Sequence, residues 1–184
     1  NERDTMMLEG EVFQSKSRET SSLVSLTAPF APPSSRPENY TGGNLLGRWT
    51  RAISDRSDLA LQFYYDRFNR DSFELLEHLN TFDLDFQHHI ALGKRNDLVW
   101  GAGVRLVNHD STSLDSSPVH FEPRGESLQL FSIFAQDEII LVNNRLRLMV
   151  GTKLEHIKEQ EQQEIFGPVQ PSVRLLWTPR ANQT

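Results

Sequence analysis

The sequence predicts an all-β fold, an antiparallel up-and-down meander of about eight strands that forms part of a transmembrane β-barrel. Three observations predict it. Apolar and polar residues alternate at period two in eight separate segments. The connections between those segments alternate long and short. No apolar run approaches the ~18 residues that a transmembrane helix needs, whereas a barrel strand needs only about 9–11 residues of alternating character.

The segments follow in order. In Thr5 to Gln14, Met6, Leu8, Gly10 and Val12 share one face, and Met7, Glu9, Glu11 and Phe13 the other. In Gly43 to Ile53, Leu45, Gly47, Trp49 and Ile53 form an apolar row that Arg51 interrupts. Leu59 to Phe68 sets Leu59, Leu61, Phe63 and Tyr65 against Ala60, Gln62, Tyr64 and Asp66. Thr81 to Leu92 is the cleanest: Phe82, Leu84, Phe86, His88 and Ile90 oppose Thr81, Asp83, Asp85, Gln87 and His89. A helix would spread those carboxylates around its whole cylinder. Leu98 to Val107, Leu130 to Leu141, Leu146 to His156 and Val169 to Thr178 repeat the pattern, with Pro171 expected near a strand start because it cannot donate to a ladder.

The expected long connections are Ser15 to Gly42, with Pro29, Pro32, Pro33 and Pro37, then Asn69 to Asn80, Asn108 to Gln129 and, intermediate in length, Ile157 to Pro168. Ser54 to Asp58, Gly93 to Asp97 and Val142 to Arg145 are tight. Barrels whose two rims face different compartments segregate loop length in this way. Lys158 to Glu164 reads as a solvated loop or a short helix.

Composition narrows the function classes. The chain has 184 residues, 37% hydrophobic and 24% charged, with a net charge of -6 and a mean hydropathy of -0.51. Taken alone these values suggest a soluble or partly disordered protein; the alternation argues otherwise. The absence of cysteine excludes disulfides, thiolate metal sites and thiol catalysis. No basic cluster suggests a nucleic-acid partner. The first residues have neither the basic start nor the apolar core of a signal peptide.

Which medium meets the apolar row decides between a membrane barrel and a lipocalin-like one. The row is mostly Leu, Phe, Ile and Val, with Trp49, Tyr65, Trp100 and Trp177 near strand ends, where aromatic girdles sit at a membrane interface. The other row is charged in both signs. Its expected lumen- or ligand-facing members are Arg48, Asp66, Asp83, Asp85, Arg105, Glu138, Arg147, Lys153, Glu155 and Arg174. Arg51, Arg67 and Asp137 fall in the apolar register. They are expected near a rim, since an arginine at mid-depth costs ~2–4 kcal/mol.

Chemical motifs are scarce. Asp83 and Asp85 are compatible with a metal or acid–base pair, but an ionic row paired with arginines of neighbouring strands is the reading adopted. His88 and His89 cannot point to one face of a strand, so they make no bidentate site. Gly101-Ala102-Gly103 lies mid-strand and opens no helix, which excludes a phosphate loop. No nucleophile motif or zinc-protease motif occurs, so no catalytic residues, metal or cofactor are expected, and the chain is read as no enzyme.

Several of these segments resemble TonB-dependent outer-membrane receptors. They are Gly42-Gly43-Asn44-Leu45-Leu46-Gly47-Arg48-Trp49 with Phe63-Tyr64-Tyr65-Asp66-Arg67, then Thr81 to His88, the aromatic-x-Gln-Asp strand Ser132 to Ile139, and Leu146 to His156 with Gln170 to Arg174 and Trp177-Thr178-Pro179. The likeness spans residues 42–180. Lys158 to Pro168 departs from the short loop of the equivalent family hairpin. The resemblance implies a 22-stranded barrel in the bacterial outer membrane, plugged by an N-terminal domain. Such a barrel imports a scarce ligand, an iron chelate (siderophore) or cobalamin. It implies outer-membrane lipid, the rest of the barrel, the plug and a periplasmic energy-coupling protein as partners, the last engaged through an N-terminal region not seen here. Residues 1–184 are then expected to be a wall segment of an incomplete barrel. The alternatives are a self-contained eight-stranded anchor or adhesin and a soluble lipocalin-like barrel.

Overall fold

A computed structural model of the chain describes residues 3–21, 34–72, 75–113, 124–159, 165–167 and 169–179. The strands are β1 (Asp4–Ser21), β2 (Ser34–Ser54), β3 (Ser57–Asp71), β4 (Leu75–Leu92), β5 (Asn96–Ser113), β6 (Gly125–Val142), β7 (Leu146–Glu159), β8 (Ile165–Phe166) and β9 (Gln170–Trp177). They form one antiparallel sheet in which each of β1 to β7 pairs with the next. β8 and β9 both pair with β7 and succeed one another along the same edge. The fold is therefore the all-β up-and-down meander that the alternation predicts. Among the described residues no helix is long and apolar enough to cross a membrane, which says nothing about a barrel. β1 pairs only with β2, so the described sheet is open and shows none of the first-to-last pairing of a self-closed eight-stranded barrel.

The registers keep every apolar row on one face. Phe82, Leu84 and Phe86 lie opposite Tyr65, Phe63 and Leu61 on one side and Leu106, Val104 and Ala102 on the other. Edge-on ring contacts tie the face together, Phe63 to Phe82 at 5.3 Å and Phe86 to Trp100 at 5.4 Å. Among the described residues no hydrophobic side chain is buried. The buried residues Glu38, Asp83 and Ser111 all project from the opposite, polar face, and Ser72 lies just beyond β3. Crowding therefore marks the polar face as the concave one.

The apolar row crosses the sheet diagonally. Met6, Trp49, Leu61 and Phe86 share one cross-strand row, and Met6 is the last apolar residue of β1 on the side of the short turns. At the far end of the sheet the same margin reaches Leu148 and Ile139, level with Asn96 and Leu92, and then Leu146 with Trp177. The opposite margin descends too. Leu45, Tyr65, Phe82 and Leu106 share a row, but Gln129 and Lys158 occupy that row in β6 and β7, where the apolar residues begin at Phe131 and Leu154. The drift is roughly one residue per strand, the stagger of strands tilted by about 36° to a common axis.

The connections differ from expectation on one rim. The short turns are as predicted: Asp55–Arg56, then Gly93 to Arg95, then Asn143 to Arg145, with left-handed backbone at Gly93 (φ 72°) and Asn144 (φ 57°). On the other rim the strands run on far past the apolar row. Residues 15–21 and 34–42 are paired strand, as are 69–71, 75–80, 108–113 and 125–129. Residues 22–33, 73–74, 114–123 and 160–164, which carry the rest of the expected loops, lie outside the described residues. Lys158 and Glu159 belong to β7 rather than to a loop or helix. The reason is physical: beyond the apolar row both faces are polar, so pairing continues while the period-two signal vanishes. Pro37 fits inside β2 because it pairs with Arg18 past the last β2–β3 pair, and Pro171 is the second residue of β9.

Glycines thin the concave wall where neighbours cross it. A Cβ on the buried Gly101 would stand 2.3 Å from the Phe86 carbonyl oxygen and 2.7 Å from the Phe134 ring. Gly101→Ala is therefore expected to destabilise the sheet by about 1–3 kcal/mol, read as a lower urea midpoint for the refolded chain. An unchanged midpoint would show that the wall is looser than these contacts.

Candidate functional site

The candidate site is the polar, concave face. Every residue predicted for it lies there by register: Arg48, Asp66, Asp83, Asp85, Arg105, Glu138, Arg147, Lys153, Glu155 and Arg174. The pairing of β4 with β5 sets Asp83 opposite Arg105, and Arg105 Nε donates to Asp83 Oδ2 at 2.6 Å. Asp85 faces Gly103, where the missing side chain leaves room: a Cβ there would come within 2.5 Å of Asp85 Oδ1. Arg147 Nη1 donates to Glu138 Oε1 at 3.0 Å, and Glu155 is held by Lys153 at 2.7 Å and by the amide of Gln170 at 2.8 Å. Arg48 reaches Gln62 at 3.5 Å, Asp66 accepts weakly from the Tyr64 hydroxyl at 3.4 Å, and Arg174 stands exposed on β9 opposite Met149. The result is a wall of fixed ions of both signs, so its field alternates over short distances.

The four aromatics expected at an interface lie on the other face. Trp49, Trp100 and Trp177 follow the descending margin on the short-turn side, and Tyr65 sits at the opposite margin. Trp49 Nε1 donates to Asp4 at 3.1 Å and the Tyr65 hydroxyl to Asn80 at 3.0 Å. Arg51, 3.9 Å from Asp4, and Arg67 fall just outside the two margins. Asp137 lies inside the row by one position and accepts from the Asn96 amide at 2.6 Å and the Asp97 backbone at 3.2 Å, toward the turn. His88 and His89 point to opposite faces as expected. His88 meets Ser57 at 2.9 Å, while His89 bridges Asp58 and Asp97 through its two ring nitrogens and so ties β3, β4 and β5 together.

A second cluster, missed by the sequence reading, occupies the polar face where the strands extend past the apolar row. Phe13, Gly42, Phe68, Leu79 and His109 form one cross-strand row, with the Phe13 and Phe68 rings 6.4 Å apart over Gly42. In the next row the Arg70 guanidinium lies 5.7 Å from the Tyr40 ring centre. Glu38, almost fully buried, accepts the Tyr40 hydroxyl and stands 3.9 Å from Arg70. Beside them Glu77 contacts His109 Nε2 at 2.9 Å and the Ser111 hydroxyl contacts the same nitrogen at 3.0 Å. Because carboxylate and hydroxyl meet one nitrogen, these residues do not form a Ser–His–Glu relay, which needs opposite ring nitrogens. Among the described residues no group of three or more His, Asp or Glu could hold a metal ion. Two signals were available, Phe13 and Phe68, apolar residues in the polar row of their segments.

The hydrogen bond to Glu38, then burial, push the Tyr40 phenol above its ordinary 10.0. A phenol that holds its proton more tightly when folded stabilises the fold below pH 10, and that contribution is lost as pH rises through the folded value. Glu38→Gln should move the Tyr40 titration back toward 10.0, read by phenolate absorbance against a Tyr40→Phe control. No movement would mean that Glu38 and Tyr40 do not interact in solution.

No protein-family model matches the chain, and no curated protein is significantly similar to it in sequence.

Proposed function

We propose that the chain is a wall segment of an outer-membrane active-transport receptor, of the TonB-dependent kind, that takes up a scarce ligand such as an iron chelate or cobalamin. The carrying observation is the stagger: a flat slab of hydrocarbon cuts tilted strands along a diagonal, and the exposed apolar row descends the sheet along such a diagonal. A soluble barrel with its apolar row inside would instead bury Phe82, Leu84 and Phe86, which are half-buried here. The ionic wall then lines the route for the ligand and faces a plug domain. The cluster of Phe13, Tyr40, Phe68 and Arg70 sits at the outer mouth, where rings and a cation suit a flat, anionic chelate. The open edges of β1 and of β8 with β9 are where further strands complete the barrel, since lipid does not tolerate unpaired edges. Energy arrives from a periplasmic coupling protein through the plug.

The test is uptake by cells that express the whole protein with Arg48→Gln and Arg174→Gln, two exposed charges of the wall. Uptake of ferric chelates or cobalamin should fall several-fold while heat-modifiable gel migration, the sign of an assembled barrel, stays intact. Unchanged uptake would remove transport from this wall.

A further inference from the structure

We propose that His89 is a proton-dependent clamp that joins β3, β4 and β5 at the short-turn rim of the concave face. Its ring lies between two carboxylates: Nδ1 stands 2.7 Å from Asp58 Oδ1, and Nε2 contacts Asp97 Oδ1. Asp58 is opposite His89 across the β3–β4 ladder. On the other side His89 pairs with Val99, and Asp97 lies on the same face two residues along β5. Asp58 and Asp97 are the second residues of β3 and β5, so the clamp closes over the start of both strands. Regular pairing runs out beside it. The flanking ladders shift register between Ala52 and Ser54 in β2 and between Ile140 and Val142 in β6.

Hydrogen-bond chemistry sets the state of the ring. An ionised carboxylate only accepts, so a ring with a carboxylate on each nitrogen must donate from both and carry a positive charge. A neutral ring has one N–H. One carboxylate then meets a ring lone pair, and the strand that carries it is released. Carboxylates on opposite nitrogens cannot share one metal ion with the ring, in keeping with the lack of a metal-holding group among the described residues. The neighbours leave the ring as the switching group. On its own cross-strand row, Ala52, Asp58, Val99 and Gln136, only Asp58 is charged. One row further in, Thr50, Ala60, Gln87 and Gly101 are uncharged. One row nearer the turns, Asp97 faces Glu138, which Arg147 holds at 3.0 Å. Arg56, Lys94 and Arg95 lie exposed in the adjoining turns, where solvent and salt screen them. The clamp stabilises the sheet while the ring is charged, and that contribution is lost as pH rises through the imidazole titration, between about pH 5 and pH 8. It stands whichever medium covers the apolar face. On the transport reading the short turns face the periplasm, and the clamp then loosens that mouth of the wall as the compartment turns alkaline.

The experiment is urea unfolding of the whole chain refolded in dodecyl maltoside micelles, wild type against His89→Gln, at about pH 5.5 and about pH 8. Glutamine keeps a donor and cannot take up a charge. The substitution should lower the folded-to-unfolded ratio about three- to tenfold at the acid pH, the scale of two part-exposed ion pairs. At the alkaline pH it should lower the ratio less than about twofold. The other histidines titrate in both proteins, so their effect cancels in the comparison. A loss of equal size at both pH values would make His89 a contact with no proton dependence, and no loss at either would remove the clamp; each result overturns the proposal. Asp97→Asn, at an exposed position, is the second variant and decides alone if His89→Gln does not refold. It should narrow the difference between the acid and alkaline midpoints that wild type shows. Were that difference to match wild type, the clamp would be overturned as well.

Discussion

An arginine at position 84 should abolish assembly of the sheet in a bilayer, while an arginine at position 87 should be tolerated. Leu84 sits mid-row on the apolar face, between Phe63 and Val104. Gln87 is exposed on the polar face, opposite Ala60 and Gly101, so a longer side chain there still reaches water. A guanidinium held in hydrocarbon costs ~2–4 kcal/mol, equivalent to a fall of roughly 30- to 1000-fold in the folded-to-unfolded ratio. Folding yield into vesicles, scored by heat-modifiable migration, should drop sharply for Leu84→Arg and hold for Gln87→Arg. Equal yields would mean that the two faces meet the same medium.

The second large effect concerns the Asp83–Arg105 pair. The Asp83 side chain is only 11% exposed, whereas that of Arg105 is 56% exposed. Removing Arg105 therefore leaves a carboxylate crowded on the concave wall without its charged donor. The loss of a hydrogen bond to a charged group is worth about 1.5–3 kcal/mol, and the exposure of the guanidinium sets the expectation at the lower end. Arg105→Ala should lower the urea midpoint accordingly. Asp83→Asn combined with Arg105→Ala should recover most of the loss, because removing both charges costs less than orphaning one. If the double variant is no more stable than Arg105→Ala, the pair is a contact without energetic coupling.

How far the sequence carried the fold depended on the medium each residue meets. Thr81 to Leu92 was legible because one face is mostly apolar and the other ionic, so period two survives with His88 and Ala91 as its exceptions. The same strand begins at Leu75, and Leu75 to Asn80 does not alternate, because its leucines fall on both faces, Leu75 and Leu79 on one and Leu76 on the other, among polar residues. That loss of contrast hid the strand extensions and, with them, the cluster of Glu38, Tyr40, Phe68 and Arg70. The faces of Asp83 and Arg105 were readable from parity alone, but their pairing was not. It requires the register of β4 on β5, a long-range alignment that no local pattern encodes. The bridging of Asp58 and Asp97 by His89 was hidden for the same reason, since it joins three strands.

If hydrocarbon covers the face of Phe82, Leu84 and Phe86 and water the face of Asp83, Asp85 and Gln87, reagents confined to one medium should tell the two faces apart residue by residue. The chain has no cysteine, so single cysteines can be placed at each position from Thr81 to Gln87 without background. Each variant is inserted into vesicles and challenged with a membrane-impermeant maleimide and with a spin-labelled lipid. Positions 82, 84 and 86 should resist the maleimide and broaden with the lipid probe, while 81, 83, 85 and 87 should do the reverse. Maleimide labelling of 82, 84 and 86 with protection of 83 and 85 would put water on the apolar face and overturn the membrane reading.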